Sequence, residues 1–224
     1  MPKILLVEDD LDLAGSLVDW LQFEHHTVEH CANGREALER LKFFEFDIVI
    51  LDWNLPEMDG VDILKQYRDW GGATPIIMLT GRSGITEIEQ GLSRGADDYV
   101  AKPCDARVLS ARIKAVLRRH TKIYQDTMRV RDLEIDPAKH RVSKNGAELK
   151  LQPKEFAVLE FLLRHPNEAF SVESLLSRIW SSDSEASPDT VRVCITRLRN
   201  KIDSPDQPSI IRTVHRIGYQ IDVS

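Results

Sequence analysis

Short apolar segments alternate with longer amphipathic segments along the first half of the chain. Continuous apolar runs at Lys3–Val7, Asp47–Leu51 and Pro75–Thr80 are typical of strands buried on both faces of a parallel sheet. Shorter strand candidates lie at Thr27–Cys31 and Asp98–Ala101. Between them, apolar residues recur three or four positions apart, which indicates helices with one buried face. The last such helix is assigned from Val108, Leu109, Ile113, Val116 and Leu117. The alternation predicts an α/β doubly wound, five-stranded parallel sheet with right-handed crossovers.

The second half of the chain follows a different pattern. Within residues 128–151, apolar and polar residues alternate over short stretches, and the sequence Lys144–Ala147 marks a turn. This pattern predicts a small antiparallel sheet. Helices are predicted from Pro153, after the capping residue Ser171, and from Ser187-Pro188. The third helix has an apolar face formed by Val191, Ile195, Leu198 and Ile202. With a hairpin over residues 210–223, the pattern predicts an α+β winged helix-turn-helix domain.

Length and charge support two domains with different partners. A chain of 224 residues suits two domains of ordinary size, and we place them at residues 1–121 and 128–224, with a linker at 122–127. Residues 1–121 carry 14 Lys and Arg against 21 Asp and Glu, a net charge of −7, whereas residues 122–224 carry 16 against 15, a net of +1. The basic residues of the second half concentrate near its C-terminus, which suggests a nucleic-acid partner there.

Neither a membrane segment nor an export signal is predicted. No apolar run approaches the roughly 18 residues of a membrane span, and the apolar N-terminal run is short and followed by acids. Cys31, Cys104 and Cys194 are far apart and odd in number, so we expect reduced thiols in a cytoplasmic protein. A redox-sensing role for Cys104 or Cys194 is an alternative, although nothing in the sequence indicates a lowered thiol pKa.

Polar side chains stand at the ends of four predicted strands. They are Glu8, Asp9 and Asp10, then Asp52, then Thr80, then Lys102. Because the carboxyl ends of parallel strands meet at one edge of such a sheet, we expect these side chains to share one crevice. Any one of them alone is more simply a solvated turn residue, but the matched set favours a site. Clustered carboxylates favour Mg²⁺, and a carboxylate held against that ion can attack phosphorus while the lysine offsets charge.

These positions carry a resemblance to a known family. The segments that match are Ile4–Asp10, Asp47–Pro56, Met58–Gly60, Ile77–Thr80 and Gly95–Pro103. They resemble the CheY-like receiver domain of bacterial response regulators, in the same order along the chain. The resemblance implies that Asp52 accepts a phosphoryl group from a sensor histidine kinase. It also implies Mg²⁺ on Asp9, Asp52 and the backbone carbonyl of Asn54, with Glu8 acting through water. Thr80 and Tyr99 are the implied switch pair, Lys102 is the implied phosphoryl contact, and the Lys102-Pro103 peptide is implied to be cis. Asp10 is expected to be a bystander, with a share in the metal site as the alternative.

The predicted third helix of the second half presents a mixed polar face. It carries Arg192, Val193, Thr196 and Arg197. Arginine can bind guanine edges, and valine and threonine methyls can contact thymine, although exposed arginines are often merely solvated. Arg216 at the tip of the predicted hairpin suits the minor groove. The segments Leu151–Phe156, Thr190–Ile202 and Ile211–Tyr219 resemble the winged-helix domain of the OmpR/PhoB family. The resemblance implies base contacts from the four helix residues and phosphate contacts from Arg199 and Arg212.

The chain departs from that family at its expected dimer surface. Family members dimerise on phosphorylation through the last two helices and the last strand of the receiver domain. An ion pair usual in that surface is replaced here by Ile88 and Val108. We expect the interface to survive with a more apolar character. The remaining ion pairs would involve Asp97, Asp98, Arg112 and Arg119.

The sequence therefore predicts a two-component transcriptional regulator. Phosphorylation of Asp52 would shift the switch pair, dimerise the receiver domains and place two winged helices on half-sites about one helical turn apart on double-stranded DNA. RNA polymerase is a further candidate partner, and no turnover of an external substrate is expected. Two alternatives stay open: a constitutive dimer that needs no phosphoryl group, and a phosphatase.

Overall fold

The computed structural model describes residues 2–81, 94–120, 127–137, 139–181 and 184–222. The chain divides into two compact units, residues 2–121 and residues 122–224. No helix within the described ranges is both long and apolar enough to cross a membrane.

The first unit contains the predicted parallel sheet. Its strands are β1 Lys3–Val7, β2 Thr27–Cys31, β3 Ile48–Asp52, β4 Ile76–Thr80 and β5 Asp98–Ala101. They pair in parallel in the order β2-β1-β3-β4-β5, with β2 and β5 at the edges. The described helices are α1 Leu11–Phe23, α2 Gly34–Phe43, α3 Gly60–Asp69 and α4 Ala106–His120. The predicted fold class is confirmed.

Local sequence explains where these elements begin and what they bury. Every residue of β1, β3 and β4 is buried, as the continuous apolar runs predicted. The Asp10 side chain accepts hydrogen bonds from the amides of Asp12 and Leu13 and so caps α1. Asp10 therefore acts at the start of a helix.

Five apolar residues were predicted to form the buried face of the last receiver helix, and one of them is exposed. Leu109, Ile113, Val116 and Leu117 are buried, whereas Val108 is 49% exposed. Successive helical residues are separated by about 100° around the axis, so Val108 lies well away from the direction of Leu109. The side chain of Val108 is thus available on the surface of α4.

The second unit is a winged helix-turn-helix. Its first sheet is antiparallel and is formed by β6 Met128–Val130, β7 Leu133–Asp136, β8 Arg141–Lys144 and β9 Ala147–Glu148. Three helices follow, α5 Pro153–Arg164, α6 Val172–Ile179 and α7 Pro188–Ile202. The C-terminal hairpin pairs β10 Ile211–Val214 with β11 Gly218–Ile221.

Turn and cap residues account for much of this second unit. Asn145 and Gly146 have φ values of 52° and 78°, the left-handed conformation that the predicted hairpin turn requires. The Ser171 side chain accepts the amide of Ser174 at the start of α6. The predicted apolar face of α7 is buried in one core with α5 and α6. That core holds the helix so that its other face points outward.

Candidate functional sites

Three carboxylates meet at the carboxyl edge of the receiver sheet. Oxygen atoms of Glu8, Asp9 and Asp52 all lie within 4.8 Å of one another. Parallel pairing of β1 with β3 places the ends of these strands side by side. Glu8 and Asp52 are only 0% and 3% exposed, whereas Asp9 is exposed. The cluster is therefore partly enclosed and open to solvent on the side of Asp9.

Lys102 joins two of these carboxylates. Its Nζ lies 2.9 Å from Asp52 Oδ2 and 2.7 Å from Glu8 Oε2. The backbone amide of Lys102 donates to the Thr80 carbonyl at 2.7 Å, which continues the β4–β5 pairing. The Lys102-Pro103 peptide is cis, as predicted. The fold thus brings the side chains from three strand ends into direct contact.

The buried charges in this cluster are unbalanced. Burial raises the pKa values of Glu8 and Asp52, and the hydrogen bonds from Lys102 oppose that rise without cancelling it. Burial lowers the pKa of Lys102, but its bonds to Glu8 and Asp52 outweigh burial and leave that pKa raised. Two carboxylates therefore share one ammonium group, and the cluster favours an additional positive charge.

The donor set fits a hard divalent cation. All three acidic groups offer oxygen, which Mg²⁺ prefers. Asp52 Oδ1 is buried and has no hydrogen-bond partner among the described residues. A buried carboxylate oxygen without a partner is costly, and coordination of a cation would satisfy it.

The other predicted receiver residues belong to β4, β5 and the loop after β3. Thr80 is the last residue of β4, is buried, and pairs with Ala101, the residue before Lys102. Asn54 is exposed in the loop that follows Asp52. Tyr99 is buried, and its hydroxyl has no hydrogen-bond partner among the described residues. Burial raises the pKa of Tyr99 to about 12, so its hydroxyl stays protonated at neutral pH.

Two residues contribute to this site in ways the sequence analysis did not identify. A Cβ atom at Gly60 would lie 2.0 Å from the Asp52 carbonyl oxygen, so the loop after β3 requires glycine there. The sequence motif Met58–Gly60 was part of the family resemblance, but the close approach of Gly60 to Asp52 depends on how the loop after β3 folds back. The second residue is His30, whose Nε2 lies 2.8 Å from the Glu8 carbonyl oxygen. No local sequence signal connects His30 to Glu8, which lies 22 positions earlier in the chain.

Four of the predicted dimer residues are engaged within their own chain. Asp97 binds Arg68 at 3.1 Å and accepts the Ile76 amide at 2.7 Å. Asp98 binds Arg112 at 2.9 Å and lies 4.0 Å from Arg119. Ile88 lies outside the described residues. Asp97 precedes β5 and Asp98 is its first residue, and the two side chains bind different arginines.

The outward face of α7 presents the predicted base-contacting residues. Val193 is 46% exposed, and Thr196 and Arg197 are also exposed. Arg192 forms an exposed ion pair with Asp189, and its carbonyl accepts the Thr196 hydroxyl at 2.9 Å. Exposed pairs of this kind are weak, so the Arg192 guanidinium can exchange its partner for a nucleic acid.

Arg199, a predicted phosphate contact, is hydrogen-bonded within its own domain. Its Nε and Nη2 atoms donate to the Ile211 carbonyl at 3.1 and 2.6 Å, and Nη2 also contacts the Thr213 hydroxyl at 2.9 Å. The guanidinium carbon lies 5.6 Å from the centroid of the Tyr219 ring. Arg199 therefore attaches α7 to the C-terminal hairpin instead of pointing freely to solvent.

Two more arginines lie on that hairpin. Arg212 is about half-exposed and forms an ion pair with Asp222 across β10 and β11. Arg216 is exposed in the turn between the strands and has a φ of 62°. The hairpin thus carries one arginine on its side and one at its tip.

The thiols are poor candidates for redox chemistry. Burial raises the pKa of Cys31 to about 12 and that of Cys194 to about 11. Burial also raises the pKa of Cys104, which is only partly buried. Since the thiolate is the reactive form, these shifts disfavour the redox-sensing alternative.

Comparisons with known proteins cover both units of the chain. The family model described as response regulator receiver domain matches residues 4–114, and the one described as transcriptional regulatory protein, C terminal, matches residues 146–221. Transcriptional regulatory protein AfsQ1 of Streptomyces coelicolor is 40% identical over 223 residues, covering 99% of each chain. Phosphate regulon transcriptional regulatory protein PhoB of Rhizobium meliloti is 39% identical over 225 residues, again covering 99% of each. The crystal structure of DrrB, a Thermotoga maritima OmpR/PhoB homolog, is similar with a TM-score of 0.50 and 31% identity over 99% of both chains.

Proposed function

Because the chain belongs to the OmpR/PhoB family of response regulators, the DNA-binding transcriptional regulators of two-component systems, we propose that Asp52 is its phosphorylation site. The observation that carries the proposal is the buried Asp52 carboxylate, which lies 2.9 Å from the Lys102 ammonium and within 4.8 Å of Glu8 and Asp9. A sensor histidine kinase supplies the phosphoryl group. An Asp52 oxygen attacks phosphorus, a P–O bond forms, and the P–N bond to the kinase histidine breaks.

The residues around Asp52 have separate tasks in this transfer. Asp9, Asp52 and the carbonyl of Asn54 would hold Mg²⁺, with Glu8 acting through water. When bound, the cation offsets negative charge on the transferring group. Lys102 pairs with a phosphoryl oxygen, and Thr80 donates its hydroxyl to another. These groups act on the chain's own carboxylate, so no turnover of an external substrate is proposed.

Phosphorylation then changes the receiver surface. Thr80 moves toward the phosphoryl group, and Tyr99 changes its position with it. The exposed Val108 and its counterpart Ile88 supply an apolar contact between two receiver domains (residues 1–121). Arg112 and Arg119, which lie near Asp98 of their own chain, exchange to an acidic partner across the dimer. Asp97 keeps its ion pair with Arg68 of the same chain and so stabilises the dimer surface from within that chain.

The second domain (residues 128–224) binds double-stranded DNA through α7 and the hairpin. Arg192, Val193, Thr196 and Arg197 contact bases in the major groove. Arg216 enters the minor groove, and Arg212 contacts phosphate. The linker at residues 122–127 lets two such domains occupy half-sites about 10–11 base pairs apart. Binding of the first half-site raises the effective concentration for the second. RNA polymerase is a candidate partner of the bound dimer.

Light scattering on the full chain tests the phosphorylation switch. Beryllofluoride with Mg²⁺ stands in for the phosphoryl group, and Asp52→Ala is the matched control. We expect the 25.6 kDa chain to double its mass only when beryllofluoride and Asp52 are both present. A doubled mass without beryllofluoride would favour the constitutive dimer. An unchanged mass would contradict the proposed switch, and turnover of a phosphate ester would favour the phosphatase.

The position of Arg199 predicts that it stabilises the hairpin and does not contact phosphate. Arg199→Ala should lower the stability of the second domain by about 2 kcal/mol, because three hydrogen bonds to the hairpin are lost. Its effect on the salt dependence of DNA binding should be small. Hydrogen exchange of α7 and β10 peptides measures the first effect. Anisotropy of a labelled random-sequence duplex at several salt concentrations measures the second.

Arg212→Ala is the comparison for this test. It should reduce the salt slope of log K by about 1, with a smaller change in stability than in Arg199→Ala, because Arg212 is about half-exposed and makes one ion pair. A slope reduction of the same size in Arg199→Ala, without destabilisation, would instead assign Arg199 to phosphate.

A further inference from the structure

His30 fixes the backbone at the start of the acidic cluster. Its Nε2 lies 2.8 Å from the Glu8 carbonyl oxygen. A carbonyl oxygen can only accept, so Nε2 carries the hydrogen and donates it. The amide of the same residue, Glu8, donates to the Cys31 carbonyl at 3.1 Å. Both polar backbone groups of Glu8 are therefore bound to the end of β2.

The hydrogen bond from His30 to the Glu8 carbonyl also restrains the backbone of Asp9. The Glu8 carbonyl and the Asp9 amide belong to one planar peptide unit, so holding the first fixes the second. The Glu8 side chain is already held by Lys102, and Asp10 is held by its capping bonds to α1. Asp9 is exposed, and its carboxylate depends on the backbone for its place in the cluster.

We propose that His30 is a positioning residue for the divalent-cation site, acting through the Glu8–Asp9 peptide; the inference rests on the proposed function. Mg²⁺ requires near-octahedral oxygen ligands at short distances, so a small shift of Asp9 weakens binding. The Nε2 atom of His30 is not available as a ligand, because the hydrogen that it carries is directed at the Glu8 carbonyl. β2 is an edge strand, and this bond ties the acidic loop to it.

Three substitutions separate positioning from packing. His30→Met has similar length but lacks a donor, His30→Asn has a donor that is too short to reach, and His30→Gln keeps a donor at comparable reach. The probe is Mn²⁺ alone, with the free ion measured by electron paramagnetic resonance on the full chain. We expect Met and Asn to raise the Kd for Mn²⁺ about 10-fold, and Gln to keep it within about 3-fold of wild type. Urea unfolding without metal identifies any variant that fails to fold.

A kinetic measurement gives a second readout. With acetyl phosphate as donor, His30→Met should need a higher Mg²⁺ concentration for half-maximal labelling of Asp52, while its rate at saturating Mg²⁺ stays near wild type. Wild-type Mn²⁺ affinity in His30→Met, or equal losses in His30→Met and His30→Gln, would overturn this inference alone. A wild-type chain that binds no Mn²⁺ would overturn both this inference and the proposed cation site.

Discussion

Replacing Lys102 with methionine should lower the free energy of unfolding of the receiver domain by about 3 kcal/mol near neutral pH. The ammonium group lies within 3 Å of both Glu8 and Asp52, whose side chains are almost completely buried. Removing it leaves two buried carboxylates without a positive partner. Phosphorylation of Asp52 should slow as well, because the Lys102 ammonium then no longer faces the transferring group.

The stability deficit of Lys102→Met should depend on pH in a defined direction. Burial already raises the pKa values of Glu8 and Asp52, and loss of the ammonium raises them further. A carboxyl group whose pKa is raised by folding stabilises the fold below its unfolded pKa, and this contribution is lost as pH rises through the folded pKa. The deficit should therefore be small in acid and grow toward neutral pH. The raised pKa of Lys102 means that its own contribution in wild type is lost only above its ordinary value of 10.5.

Urea unfolding of the full chain at several pH values measures this effect. Tryptophan emission is a suitable signal, because three of the four tryptophans (Trp20, Trp53 and Trp70) belong to the receiver domain. Divalent cations are kept out so that they do not replace the lost charge. Lys102→Arg retains a positive charge and should lose much less stability. Equal stability of Lys102→Met and wild type at neutral pH would contradict the charge imbalance inferred here.

Replacing Gly218 with alanine should destabilise the second domain by about 3 kcal/mol and abolish DNA binding through the hairpin. A Cβ atom there would lie 1.8 Å from the Phe170 carbonyl oxygen and 2.6 Å from its carbon, at a φ of +151°. Backbone atoms cannot yield as a flexible side chain does. The two hydrogen bonds that join Phe170 to Tyr219, each 2.9 Å long, would be forced apart. The hairpin would then lose its attachment to the segment before α6.

Gly146→Ala distinguishes the effect of this steric clash from the effect of backbone strain alone. Gly146 also has a positive φ, of 78°, but a Cβ atom there meets nothing within 4 Å. Its substitution should cost only about 1 kcal/mol, the strain of the left-handed conformation. Hydrogen exchange of α5 and α7 peptides compares the two variants within the same domain. Labelling of Asp52 should be normal in both, and equal destabilisation would show that the contact with Phe170 is unimportant.

The sequence by itself determined the fold class, the type of each domain and the residues of the acidic crevice. Continuous apolar runs and helical spacing are local signals, and they correctly located all five strands of the receiver sheet to within a residue. The convergence of Glu8, Asp52 and Lys102 also followed, because parallel strands in a doubly wound sheet bring their carboxyl ends to one edge. The turn at Asn145-Gly146 and the cap at Ser171 were predictable for the same reason, since their chemistry is confined to a few neighbouring residues.

Only the tertiary structure decided which partners the long polar side chains take. Arg199 binds the Ile211 carbonyl, and Asp97 binds Arg68. The bond from His30 to Glu8 was likewise absent from the local pattern. A hydrogen bond requires its two atoms within about 3 Å, and that distance is set by the packing of segments far apart in sequence. Periodicity assigns a residue to a face of its element, but the neighbouring element determines what that residue meets.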